Sequence, residues 1–167
     1  MTTLTAAVIT VSSKGAVGKR IDESGPAIRE ALEAAGIKVV HTKLVSDGVT
    51  PVGNAIREAS QKANVVITSG GTGLSPNDMT PEATRRVIDR EAPGIAEALR
   101  AHSLTKTPHG MLSRGVAGTL GAALVVNLPG SPKAARESLE VLIPVLAHAV
   151  ELLAGESGEG GHRKASA

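Results

Sequence analysis

Gly70, Gly71 and Gly73 place three glycines in four residues, directly after the β-branched run that ends at Thr68-Ser69. Asp78 follows, two residues before Thr80-Pro81-Glu82, a strong helix start. Glycines let main-chain N–H groups approach a bulky anion closely. A helix start adds unpaired donors and partial positive charge. A carboxylate alone would repel an anion, so Asp78 beside such a cradle suggests a divalent cation shared with it. The alternative for Asp78 is a structural cap on the helix, a position where Asn serves equally well.

Three other segments carry residues of the same kind. Ser12-Ser13-Lys14-Gly15 follows the run Thr5–Val11, Asp47 follows Ile37–Val45, and Pro129-Gly130-Ser131-Pro132 follows Ala123–Leu128. If these runs are parallel strands, all four segments lie at their carboxyl ends, the edge where open α/β sheets bind ligands. Pro129–Pro132 reads equally well as a tight turn. Ser113-Arg114 offers either a bidentate grip on phosphate or an ordinary surface arginine. The five histidines form no close ligand pair and read as structural or solvated.

The elements that must position these groups follow from periodicity. Short β-branched runs alternate with helical stripes, the mark of an α/β layer architecture with a largely parallel sheet. Strands are expected at Thr5–Val11, Ile37–Val45, Asn64–Ser69 and Ala123–Leu128. Helices are expected from Ser24 to Ala35, from Thr50 to about Ala63, over Pro81–Arg90 and Pro93–His102, and over Pro132–Leu153. On the last, Ala135, Leu139, Leu142, Leu146, Ala149 and Leu153 form one apolar stripe. Lys14–Ser24 reads as a polar loop, and Ser103–Gly121 carries no clear pattern. Residues Gly155–Ala167 are small and polar and read as a flexible tail, leaving 1–154 as one domain.

Composition narrows the function classes. The 167 residues hold no Phe, Trp or Tyr, so the usual stacking platforms for single-stranded nucleic acid are missing. A flat heterocycle bound here must rest on aliphatic or main-chain surfaces. Cysteine is absent, which removes disulfides, thiolate metal sites and thiol nucleophiles. The net charge is +2, with its 18 Lys and Arg scattered rather than clustered, against a nucleic-acid surface. No signal peptide or membrane span is read, and a cytoplasmic setting is expected. Two nucleotide motifs fail at the residues that carry their chemistry. Ser13 stands where the Walker A loop needs its first Gly and Arg20 where it needs Ser or Thr; Pro76 stands where a Rossmann loop needs its third Gly.

Thr68–Thr84 resembles the signature of the MogA/MoaB family, the molybdopterin adenylyltransferases of molybdenum cofactor synthesis, related to the G domain of gephyrin. Asp22-x-Ser24-Gly25-Pro26, Leu112-Ser113-Arg114-Gly115 and Asn127-Leu128-Pro129-Gly130-Ser131-Pro132 agree in order and spacing. The likeness runs from about Thr5 to Leu153. It implies a three-layer α/β/α sandwich that commonly assembles as a trimer. It also implies a reaction in which molybdopterin and Mg-ATP give adenylyl-molybdopterin and pyrophosphate. Asp47 and Asp78 correspond to aspartates essential in the family and are the expected catalytic and Mg²⁺-binding pair. Gly70, Gly71, Thr72 and Gly73 correspond to the loop under the nucleotide and pterin phosphates. Ser113, Gly130 and Ser131 match segments that line the pocket. Ser12, Ser13, Ser69, Ser75, Thr80, Glu82 and Arg114 complete the expected binding set. Members often carry Arg where Asn77 stands, and Val or Thr at Met79. Without that arginine, Lys14, Lys19, Arg20 or Arg114 must supply the positive charge. The resemblance also implies hand-over to a molybdenum-insertion protein. A non-catalytic molybdopterin carrier of the same family is the alternative.

Overall fold

In the computed structural model, which describes residues 2–155, six strands make one sheet. They are β1 (Thr5–Val11), β2 (Lys38–Val45), β3 (Val65–Ser69), β4 (Arg90–Glu91), β5 (Ala117–Leu120) and β6 (Ala123–Leu128), in the order β2-β1-β3-β6-β5-β4. β2, β1, β3 and β6 run parallel, while β5 is antiparallel to both β6 and β4. The helices are α1 (Ser13–Ala16), α2 (Ser24–Ala34), α3 (Val49–Ser60), α4 (Thr80–Arg85), α5 (Pro93–Leu104) and α6 (Pro132–Leu153). The expected flexible tail, apart from Gly155, lies outside the described residues.

Strand side chains alternate between two faces, and here both faces are covered, so the central strands are mostly apolar, with buried Thr10, Thr68, Ser69 and Asn127 near their carboxyl ends. Ala6 and Val8 of β1, Val65 and Ile67 of β3, and Leu124, Val126 and Leu128 of β6 pack with Ile28 and Leu32 of α2 and the buried face of α6. Ala7, Ile9, Val11, Val66, Ala123 and Val125 point the other way, onto Val52, Ala55 and Ile56 of α3 and Ala83 of α4. The result is the expected three-layer α/β/α sandwich. The α6 stripe holds: Ala135, Leu139, Leu142 and Leu146 are buried, with Val150 added, while Ala149 and Leu153 are partly buried.

Three segments differ from the expectation. α4 ends at Arg85 rather than Arg90, because Arg90 and Glu91 pair with β5 and the Asp89 N–H donates to Thr119 O at 2.7 Å. The unassigned stretch holds a 3-10 turn at Pro108–Leu112 and the short strand β5. Within Lys14–Ser24, Ser13–Ala16 closes one helical turn, capped by Ser12 Oγ accepting from Gly15 N at 3.1 Å.

Candidate active site at the carboxyl edge of the sheet

β3 ends at Ser69 and the chain turns sharply through Gly70 (φ 103°) and Gly71 (φ 67°). Any side chain is strained at such angles. Space forbids one too, since a Cβ on Gly70 would overlap the Val11 carbonyl and a Cβ on Gly71 the Thr80 hydroxyl. The turn is tied down at both ends. Gly70 N donates to Leu128 O at 3.1 Å, Thr80 N to Gly71 O at 3.1 Å, and Thr80 Oγ1 to Gly70 O at 2.9 Å. Beneath it runs a buried polar chain. Thr84 Oγ1 donates to Thr80 O at 2.8 Å, and the Asn127 amide donates to both Thr84 Oγ1 and Thr68 Oγ1 at 2.9 Å. Asn127 Oδ1 accepts from Val116 N at 3.1 Å. Every member finds a partner, which is the condition for such a network to rigidify a core.

Asp78 closes the other side of the loop. Its Oδ2 accepts from Gly73 N at 3.1 Å and Ser75 N at 3.2 Å. It does not cap α4, whose N-cap position is Met79, so the helix-cap alternative for Asp78 falls away. Arg114 fastens the loop from behind. Its backbone N–H donates to Thr72 O at 2.8 Å, its Nε to Gly73 O at 2.8 Å and its Nη2 to Asp78 O at 2.6 Å, while Nη1 pairs with Glu82. The guanidinium hydrogen-bonded to Glu82 holds that carboxyl below the usual range, and Glu82 in turn raises Arg114.

Asp47, after β2, meets the turn after β1. Its Oδ2 accepts from Ser13 N at 3.0 Å and Ser13 Oγ at 2.6 Å, and its own N–H donates to Ser13 Oγ at 3.1 Å. These walls enclose a cleft of about 620 Å³ at the carboxyl ends of β1, β2, β3 and β6. It brings together ten of the expected residues: Ser12, Ser13, Asp47, Ser69, Gly70, Gly71, Ser75, Asp78, Gly130 and Ser131. Thr72, Gly73, Thr80, Glu82, Ser113 and Arg114 are not among its lining residues. Thr80 is fully buried and supports the loop from below, while Glu82 and Arg114 form the clamp behind it. Of the four candidate cations, Lys14 and Arg20 line the cleft and Lys19 and Arg114 do not.

Two lining carboxylates, Asp22 and Glu23, were not in the expected set. Asp22 accepts from Thr10 Oγ1 at 2.8 Å and Gly25 N at 2.9 Å. Its signal was legible: an acidic residue just ahead of Ser24-Gly25-Pro26 can receive the first free N–H groups of a helix.

Residues 7–148 match the family described as "Probable molybdopterin binding domain". The chain belongs to this family. A molybdopterin adenylyltransferase from Helicobacter pylori is 35% identical over 159 residues, covering 93% of this chain and 90% of that one. A gephyrin from Dictyostelium discoideum is 38% identical over 87% of this chain. The chain spans 22% of that gephyrin, and less than half the length of the longer curated relatives it matches. Among solved structures, the molybdopterin biosynthesis enzyme MoaB from Thermus thermophilus superposes with a TM-score of 0.85 at 47% identity, over 91% of this chain and 97% of that chain.

The electrostatics of this molybdopterin-binding-family cleft are lopsided. Asp22, Glu23, Asp47 and Asp78 line it against two cations, Lys14 and Arg20. The Oδ1 oxygens of Asp47 and Asp78 receive no hydrogen bond from the described residues. Hard oxygen donors of this kind suit Mg²⁺, which is held by one or two carboxylates together with substrate phosphates. Among the described residues no three His, Cys, Asp or Glu side chains converge, so the protein offers part of a shell that phosphate oxygens and water would complete. The donor set fits the ion. The expected amide cradle is redistributed. Gly70 N is bonded to Leu128 O and Gly73 N to Asp78, whereas the N–H groups of Gly71, Gly130 and Ser131, all on the cleft wall, donate to no partner among the described residues.

Proposed function

We propose that this protein is a molybdopterin adenylyltransferase of molybdenum cofactor synthesis, joining molybdopterin to the adenylyl group of ATP. The observation that carries the reading is the meeting of two half-satisfied aspartates and three unpaired main-chain donors in one cleft. Relatives named for this activity, at 34–37% identity over 80–93% of the chain, support it.

The residues suit the physical problem. A phosphate monoester oxygen of the pterin attacks the α-phosphorus of ATP. The new P–O bond forms as the bond to the β-phosphate bridging oxygen breaks, and pyrophosphate leaves with that electron pair. The attacking oxygen is already ionised near neutral pH, so no strong base is required. Charge is the obstacle. Two unit charges about 4 Å apart repel by about 4 kcal/mol at an effective dielectric of 20, and the cleft's own carboxylates add to this. Mg²⁺, when bound, supplies neutralisation and in-line alignment, with Asp47 and Asp78 as the side chains that would hold it. The N–H groups of Gly71, Gly130 and Ser131 brace phosphate oxygens, fixed before substrate arrives. Lys14 and Arg20 take the place of the arginine missing at Asn77. The six-residue α4 contributes little, because its first N–H, on Thr80, already donates to Gly71 O.

The same reading carries a homotrimeric assembly, a cytoplasmic setting and hand-over of product to a molybdenum-insertion protein. No helix among the described residues is long and apolar enough to cross a membrane. The test is pyrophosphate release from Mg-ATP with and without molybdopterin. Release that depends on the pterin supports the enzyme; tight pterin binding without release would identify a carrier instead.

A further inference from the structure

The chain has no Phe, Trp or Tyr, yet the reading above asks it to hold a flat heterocycle. Rings bind poorly to main-chain turns and carboxylates alone, because their faces must leave water for an apolar surface. The cleft's apolar lining is sparse. Val11 is buried at the end of β1 and Pro132 is half-buried at the start of α6. Ile21 is the exception. It lines the cleft and is 84% exposed, more than any other large apolar side chain among the described residues.

Its setting is not that of a stray surface residue. The next residue, Asp22, is anchored to β1 and α2 by hydrogen bonds from Thr10 Oγ1 and Gly25 N. At the far end of the segment, Ser13 is locked to Asp47. Between these anchors residues 16–21 are all exposed, and Gly18, at φ 74°, has open space beyond its Cα. Arg20 beside it also lines the cleft. A cation and a branched aliphatic side chain therefore sit next to each other at the mouth, just after a capped turn whose last bonds run from Gly18 N to Gly15 O at 3.0 Å and from Lys19 N to Lys14 O at 2.8 Å.

We propose that Ile21 is the platform for the heterocyclic ring of a bound substrate, with Arg20 meeting the attached phosphate. This rests on the adenylyltransferase reading and assigns that site a positioning residue. The shared chemistry is a flat heteroaromatic ring bearing a phosphate, and either adenine or pterin meets it. Ile21 touches the ring face and not the reacting atoms, so its loss weakens binding and leaves the chemical step alone.

The experiment measures pterin-dependent pyrophosphate release, varying ATP and molybdopterin separately, for wild type, Ile21→Ala, Ile21→Asp and Val17→Ala. Val17 is 67% exposed on the same segment but does not line the cleft. Removing an apolar contact of this size is expected to raise KM by about tenfold for one substrate, with kcat within about twofold of wild type. Ile21→Asp should raise it further and Val17→Ala should change nothing. The substrate whose KM moves identifies the ring. A direct readout accompanies this, because Ile21→Trp would be the sole fluorophore of its class in the chain. Its emission should shift or quench when Mg-ATP alone or molybdopterin alone is added, and Val17→Trp should stay unchanged. If wild type releases pyrophosphate but neither KM moves in Ile21→Ala and Ile21→Asp, the proposal is overturned while the enzyme reading stands. If the variants change subunit assembly and not KM, Ile21 belongs to a contact between copies and the proposal fails as well. A wild type with no release fails the enzyme reading, and ligand-insensitive Ile21→Trp emission would then remove the platform independently.

Discussion

The two walls of the cleft are built in opposite ways. The Gly70–Asp78 wall is fastened from every side: to Leu128 and Thr80 at its start, to the Asn127 network below, and to Arg114 behind. The Ser13–Glu23 wall is tied down at Ser13, at the buried Gly15 and at Asp22, and residues 16–21 between them are exposed, yet it carries both cleft-lining cations and the exposed Ile21. On the proposed adenylyltransferase reading, the contrast separates two tasks. Main-chain donors and Asp78 must be in place before substrate arrives, since their value in the transition state depends on needing no rearrangement. Side chains that capture and hold substrate can sit on a looser segment, at the low-stability end of the fold.

The contrast can be broken by substitution. On the fastened wall, Asp78→Asn should lower turnover by about 10²-fold or more with little change in melting temperature, because an Asn oxygen can still accept from Gly73 and Ser75 N–H. Steady-state kinetics beside a thermal melt checks both halves. A mutant with wild-type turnover would remove Asp78 from the chemistry. Next comes Asn127→Ala, which strands the Val116 N–H and breaks the support under Thr84. A loss of about 3 kcal/mol corresponds to a melting temperature about 6–12 °C lower. An unchanged melt would mean the fastening is ornamental.

Glu82→Gln tests the clamp behind the loop. The pair with Arg114 is one-third exposed, so the expected drop is modest, about 2–4 °C near neutral pH. Its pH dependence has a definite sign. Because Arg114 depresses the Glu82 carboxyl in the folded protein, the stabilisation is present above the ordinary glutamate range and is lost as pH falls through the folded value. The gap between wild type and Glu82→Gln should therefore close on acidification, and melts across that range would show it. On the exposed wall, Lys14→Ala should raise KM a few-fold, more at low salt than at high, and leave the melt unchanged. A drop in stability there would erase the distinction between the walls.

What could be read from sequence follows the same division. β1 and β6 were legible because both faces of each are buried, which leaves runs that are apolar but for Thr5 and Thr10 in β1 and Asn127 in β6. α4 was over-extended because nothing local shows that Asp89–Glu91 will be drawn into pairing with Thr119 and Gly118, some thirty positions later in the chain. The same range effect hid the clamp. Arg114 reads as either a phosphate grip or a surface loop arginine until the fold brings it 32 positions back to Glu82. The glycine turn and its aspartate were legible because their geometry is local. Which amides stay unpaired was not, because Gly70 and Gly73 find partners through tertiary contacts and Gly71, Gly130 and Ser131 do not.

The central claim is that Asp47 and Asp78 together recruit a divalent cation that lets two polyanions react. A titration of Mg²⁺ against pterin-dependent pyrophosphate release, in wild type, Asp47→Asn and Asp78→Asn, tests it most directly. The account predicts that both variants need more Mg²⁺ to reach half-maximal rate and stay slow at saturation. Wild-type midpoints and rates in both variants would contradict it.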